Sequence, residues 1–146
     1  MIAIGSDHAG YRYKENTKLL LSSLHEEFID YGTISEESTD YPDYAALVSQ
    51  AIISGKATRG ILICGTGIGM CIAANKFPGI RAAVCESVAS ARLAREHNNA
   101  NILCIGERIT PWEKAIEIIS VFLNTPFDGG ERHCRRVEKL NRLPNL

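Results

Sequence analysis

Five short apolar runs recur along the chain as MIAIGSD, EFIDYG, RGILICG, IRAAVCE and NILCIG, with helix-compatible segments between them. This alternation constrains the fold more than any other feature. A short apolar run without a polar face has to be covered on both sides, and strands joined through helices run parallel. The pattern therefore predicts an α/β fold, a three-layer α/β/α sandwich around a five-stranded parallel sheet. Helical periodicity agrees: Leu20, Leu21, Leu24 and Phe28 share one face of the expected first helix, and Trp112, Ala115, Ile116, Ile119 and Leu123 share one face of a late one. Thr110-Pro111-Trp112-Glu113 has the composition of a capping box, with Thr110 at the cap and Glu113 three residues on.

A chain of 146 residues that is 45% hydrophobic is long enough for one well-cored domain, expected over residues 1–146 with an arginine-bearing tail at 126–146. The tail reads either as a solvated C-terminal helix or as an anion clamp. A net charge of −1, from 16 basic and 17 acidic residues, gives nucleic acid and membrane surfaces no electrostatic hold, which leaves a small molecule as the expected partner. No signal-like or membrane-spanning stretch opens the chain, so a cytoplasmic location is expected. The five cysteines form no C-x-x-C pair and are odd in number. Reduced thiols are expected, with no disulfide framework and no metal site.

In an open parallel sheet, ligands bind beyond the carboxyl ends of the strands. That rule selects Ser6, Asp7 and His8 after the first strand, Cys64 and the loop Gly65-Thr66-Gly67-Ile68-Gly69 after the third, and Gly106, Glu107 and Arg108 after the fifth. His97, Asn98 and Asn99, in the turn before the fifth strand, join the candidates, and all are expected at one end of the sheet. The Rossmann-like arrangement raises the question of a dinucleotide, with Glu86 about 20 residues beyond the glycines as the ribose ligand. The fingerprint is not met. The glycines read G-x-G-x-G followed by Met70, and they follow the third strand, whereas the fingerprint follows the first.

What the loop does offer is a row of backbone N–H groups, free of side chains, at the start of a helix, where an anion is favoured. Cys64 stands just ahead of that field, which favours a thiolate. The alternative is a small buried strand residue, the reading given to Cys85 and Cys104. Asp7 could act in proton transfer or simply cap a helix starting near Ala9. An acid, two histidines, a thiol and an N–H-rich loop together suggest proton transfer with an oxyanion hole.

The strings GSDHAG at 5–10, TDYPDYA at 39–45, GILICGTGIGMCIAANKFPGIRA at 60–82 and REHNNANILCIGERI at 95–109 resemble type B ribose-5-phosphate isomerases of the ribose/galactose-phosphate isomerase family. The resemblance implies interconversion of ribose 5-phosphate and ribulose 5-phosphate through a cis-enediolate, without a cofactor. It implies Cys64 as the base, since the family's other branch uses a glutamate where Met70 stands here. By the same resemblance His97 opens the sugar ring with help from Asp7 and Thr66. Gly65, Gly67, Ile68, Gly69 and Asn98 hold the enediolate, Tyr41 lines the pocket, and His8, Arg108, Arg132 and Arg136 grip the phosphate. It implies a homodimer whose sites lie between subunits, with pairing into tetramers left open. One departure is Glu131, an extra residue between Gly130 and Arg132. Two alternatives stand beside this reading: an isomerase of a six-carbon sugar phosphate such as allose 6-phosphate or galactose 6-phosphate, and a non-enzymatic phosphate-binding redox module built on Cys64.

Overall fold

The computed structural model describes residues 1–145. Its five strands are β1 (Ile2–Ser6), β2 (Phe28–Asp30), β3 (Arg59–Cys64), β4 (Ala82–Val84) and β5 (Ile102–Gly106), one in each of the five apolar runs. Helices α1 (Tyr11–Ser23), α2 (Tyr41–Ile53), α3 (Ile68–Ala74), α4 (Val88–Asn98), α5 (Trp112–Asn124) and α6 (Glu131–Arg142) complete the described fold, with a short 3-10 turn at His8–Gly10. All strand pairs are parallel, in the order β2-β1-β3-β5-β4.

Alternate residues of the central strands feed two cores. Ile2, Ile4, Ile61, Ile63, Leu103 and Ile105 pack with Leu21 of α1, Ala91 and Ala94 of α4, and Ile118, Ile119 and Phe122 of α5. Ala3, Leu62, Cys64, Ile102 and Cys104 face the other way, onto Ala45 and Val48 of α2 and Met70 and Ala74 of α3. This is the three-layer sandwich, and it explains why the strand runs carry no polar face. The short edge strand β4 is closed off by a side chain: the Asn75 amide donates to the Ala82 carbonyl at 2.9 Å and accepts from its N–H at 2.8 Å, as a neighbouring strand would.

Three local expectations are corrected. Helix α1 stops at Ser23 because His25 adopts a left-handed conformation, φ 57°, and Glu26 and His25 donate back to the carbonyls of Leu21 and Ser22. That closes the helix in the manner usually given to glycine and turns Phe28 into β2, off the helical face assigned to it. The buried face of α1 is instead Lys14, Thr17 and Leu21. On α5 it is Ala115, Ile118, Ile119 and Phe122, with Trp112 and Leu123 only partly buried against the same core. No capping box forms at Thr110. Its N–H bonds to the Gly106 carbonyl and its own carbonyl accepts from the Tyr13 hydroxyl at 2.7 Å, leaving Pro111 at the cap. A true capping box begins α4, between Ser87 and Ser90.

Lys14 is completely buried, and its Nζ meets Asp30 Oδ2 at 2.7 Å, with Lys18 on the same oxygen at 3.1 Å. Asp30 Oδ1 accepts from the Gly32 N–H, so the pair ties α1 to the end of β2 and to the turn that follows it. Burial pushes the Asp30 carboxyl up, but Lys14, the Gly32 N–H and Lys18 overcome it and hold the group below its ordinary value. A carboxyl depressed by folding contributes stability that is complete above its unfolded pKa and is lost as pH falls through the folded one. The expected result is a wild-type Tm that falls steeply below about pH 5, with Asp30→Asn lowering Tm at neutral pH and flattening that acid slope. Thermal melts across pH check this, and parallel slopes would contradict it.

Candidate active site

The strand order places the switch of direction between β1 and β3: from β1 the chain steps outward to β2 and then returns past β1 to β3. Crevices open at such switch points, beyond the carboxyl ends. A cleft of about 210 Å³ lies there, lined by Asp7, His8, Ala9, Tyr41, Cys64, Gly65, Thr66, Gly69 and Arg108.

Each wall has a local cause. Asp7 is buried, and its Oδ1 accepts from the N–H groups of Ala9 and Gly10 at 3.0 and 3.1 Å, capping the turn that carries His8. His8 Nδ1 lies 3.2 Å from both the carbonyl and the N–H of Thr39, which fixes the ring, and among the described residues Nε2 has no protein partner. Arg108 extends over Gly65, with Nη1 3.1 Å from where a Cβ would stand, and it pairs with no carboxylate among the described residues. The loop after β5 is tied to the loop after β3 by two backbone bonds, Glu107 N–H to the Cys64 carbonyl and Arg108 N–H to the Gly65 carbonyl, at 2.9 and 3.0 Å.

Cys64 is 4% exposed, and its sulfur accepts the Gly67 N–H at 3.1 Å. Gly67 has φ 77°, and a Cβ there would come within 2.9 Å of the Ile105 backbone, so only glycine fits where β3 turns into α3. Thr66 Oγ1 accepts from the Ile68 N–H at 3.2 Å and the residue is exposed at the rim. Ile68 is 51% exposed on the first turn of α3. Gly69 lies against the Tyr41 ring, whose Cζ is 2.8 Å from the position a Cβ would take.

His97 and Asn98 are not in this cleft, which corrects the expectation of one end for all, and Arg132 and Arg136 of the tail lie outside it as well. The turn before a parallel strand lies at its amino end, and Cys64 pairs in register with Gly106 at the carboxyl end of β5. The five residues of β5 separate the two positions, roughly 15 Å of sheet. At the far pole His97 stacks on His133 of α6, with ring centroids 4.5 Å apart and planes 11° from parallel. The His133 imidazole is pushed down by burial first, then by His97 and Arg132, with Asp128 opposing and Arg136 adding to the fall. The tail is thus a helix that carries Arg132 and Arg136 near His133, the ring stacked on His97. Asn98 is exposed there, on a broad groove of about 840 Å³ that also takes in Phe77, Arg81, Leu140 and Asn141.

Of the other thiols, Cys85 and Cys104 are buried as expected. Cys71, which the sequence did not single out, is drawn down to about 7, first by the Cys104 thiol and then, against burial, by the Val84 backbone and Asn75. It points away from the cleft toward the Ala82 carbonyl. Among the described residues no three His, Cys, Asp or Glu side chains gather as a metal site, and no helix is long and apolar enough to cross a membrane.

A profile of the Ribose/Galactose Isomerase family matches residues 2–140. Ribose-5-phosphate isomerase B of Escherichia coli strain K12 is 46% identical over 142 residues, which cover 97% of this chain and 95% of that protein. The solved structure of ribose-5-phosphate isomerase B from Clostridium thermocellum superposes with a TM-score of 0.95 at 50% identity, covering 97% of this chain and 95% of the other. The corresponding structure from Thermotoga maritima gives 0.94 at 55% identity, with 97% of each chain covered.

The Gly69 and Tyr41 contact gives a direct check on the cleft wall. Gly69→Ala should cost on the order of 1–3 kcal/mol by overpacking the ring, and close to nothing in a Tyr41→Ala background. Urea unfolding of the four proteins measures the coupling, and additive costs would contradict the contact.

Proposed function

The chain belongs to the Ribose/Galactose Isomerase family, and we propose that within it the protein interconverts ribose 5-phosphate and ribulose 5-phosphate with Cys64 as the proton-transfer base. The observation that carries this reading is the Cys64 sulfur at the switch-point cleft, held by the Gly67 N–H at 3.1 Å and facing a wall with His8 and Arg108. The relatives named above supply the substrate.

Interconverting an aldose and a ketose moves one carbon-bound proton between C2 and C1 and one hydroxyl proton between O2 and O1, through an enediolate. The hydrogen leaves and returns as a proton, so the reaction balances without a redox partner. Cys64 as thiolate removes the proton and as thiol returns it, forming no bond to the sugar. The Gly67 N–H already aims at the sulfur and the Ile68 N–H is taken by Thr66 Oγ1, which leaves the backbone N–H groups of Gly65 and Gly69 for the oxygens that gain charge. Asp7 and Thr66 stand where the sugar hydroxyls would enter, and Tyr41 forms the wall behind Gly69. His8 and Arg108, neither paired with a carboxylate among the described residues, suit the phosphate dianion.

The remaining groups come from a second copy of the chain. His97, which would open the furanose ring, Asn98, which would hold the enediolate, and Arg132 and Arg136, which would close on the phosphate, sit at the opposite pole and cannot reach their own Cys64. A two-fold homodimer brings the far pole of each copy to the cleft of the other and makes two equal sites. Ile68 and Ile72, 51% and 58% exposed on α3 beside the cleft, are apolar groups that such a contact would cover.

Turnover of ribose 5-phosphate and allose 6-phosphate, measured side by side, tests the reading. The five-carbon sugar should be faster, and Cys64→Ser should lower kcat at least about a hundredfold with little change in KM. Preference for the six-carbon sugar would reassign the substrate, and near-normal turnover by Cys64→Ser would overturn the base.

A further inference from the structure

Glu107 takes no part in the chemistry above, yet it connects both walls of the cleft. We infer that Glu107 is a positioning residue: its carboxylate supplies from the β5 loop the N-terminal cap that α1 lacks, and so sets the spacing between His8 and Arg108. This rests on the proposed isomerase reading and adds to it a residue that touches neither sugar nor phosphate.

Helix α1 begins after Gly10, which has no side chain to offer its own first turn. Nothing larger fits, since a Cβ on Gly10 would lie 2.4 Å from the Ile63 carbonyl oxygen, at the place where the chain leaving β1 crosses the end of β3. The close approach that brings Asp7 and His8 beside Cys64 thus removes the usual cap. Ser, Thr, Asp or Asn at the cap would accept from an N–H of the first turn. Here Glu107 Oε1 accepts the N–H of Tyr13, the third residue of the helix, at 2.8 Å from 94 residues along the chain. A carboxylate there also meets the favourable end of the helix dipole.

The other side of Glu107 belongs to the opposite wall. Its backbone N–H donates to the Cys64 carbonyl and the next residue, Arg108, donates to Gly65. One residue therefore joins the base-bearing strand, the arginine and the helix that follows His8. The Tyr13 hydroxyl bond to the Thr110 carbonyl runs parallel to it, from the same helix to the same loop. With Glu107 shortened, the two walls remain tethered by packing and by the Tyr13–Thr110 bond but lose the contact nearest His8 and Arg108. The phosphate, held between them, should feel this before the proton transfer at Cys64 does.

The test is steady-state kinetics on ribose 5-phosphate together with thermal melts, for wild type, Glu107→Ala, Glu107→Gln, Glu107→Asp and Leu21→Ala. Leu21 is fully buried on α1 and remote from the cleft, so Leu21→Ala reports what loosening the helix alone does. Glu107→Ala should raise KM about tenfold with kcat within about threefold of wild type. Glu107→Gln keeps an acceptor oxygen and should restore KM, and Leu21→Ala should lower Tm without moving KM. Glu107→Asp, one methylene too short to reach Tyr13, should raise KM in the same direction and keeps the inference testable if the alanine variant does not fold. A wild-type KM in Glu107→Ala or Glu107→Asp would overturn the inference, as would a KM in Glu107→Gln as high as in Glu107→Ala. A wild-type protein with no turnover would instead overturn the isomerase reading on which it rests.

Discussion

A parallel sheet has polarity, and the rest of this structure depends on it. Every strand delivers its exit to one edge and receives its entrance at the other, so residues that leave strands meet one another and residues that precede strands do not join them. The order β2-β1-β3-β5-β4 then opens a cleft between the ends of β1 and β3. Asp7, His8, Cys64 and the glycine loop share that cleft because each follows a strand. His97 and Asn98 precede one, which puts them at the far edge whatever their chemistry. In the proposed enzyme, the need for both sets makes the second copy part of the active site.

Both poles are held by buried polar anchors. Near the cleft, Lys14 and Asp30 tie α1 to the end of β2. At the far pole Arg95, 2% exposed, donates to the carbonyls of Thr125 and Ala100 and to Asn99 Oδ1, and lies 5.8 Å from the Phe122 ring centroid. Burial, with Arg59 and Arg81 nearby, draws its guanidinium down to about 10, which leaves it charged at neutral pH. Its partners are carbonyl and amide oxygens, which satisfy the fork without a carboxylate. This fixes the last turn of α4, where His97 and Asn98 emerge, and the left-handed Asn99 that ends it.

The sequence was legible where physics is local. Each apolar run became a strand because a buried parallel strand needs little beyond a short unbroken stretch of apolar residues, and the carboxyl-end rule pointed to Asp7, His8, Cys64, Gly65, Thr66, Gly69 and Arg108, which line one cleft. It failed where distant partners decide. Phe28 fits a helical period, but the left-handed turn at His25 ends the helix first. Thr110 has a capping composition, but bonds to Gly106 and Tyr13 take its backbone elsewhere. Buried Lys14 interrupts an apolar period because its partner Asp30 is on another element. His97 stands apart from Cys64 because the turn before β5 occupies the amino edge of the sheet, which the strand pattern itself implies. The carboxyl-end rule reached Glu107 but not its role, since a cap supplied from 94 residues away has no sequence spacing to recognise.

The central claim is that one catalytic site needs the cleft of one copy and the far pole of another. The most direct measurement is complementation between Cys64→Ser and His97→Ala, each nearly inactive alone, after the two chains are unfolded together and refolded as a mixture. Random pairing makes about half the dimers mixed, each with one site carrying both lesions and one carrying neither. The account predicts recovery to about a quarter of wild-type turnover in the equimolar mixture. Activity no higher than the average of the two variants would contradict it, and would mean that Cys64 and His97 act within the same chain or that His97 does not act.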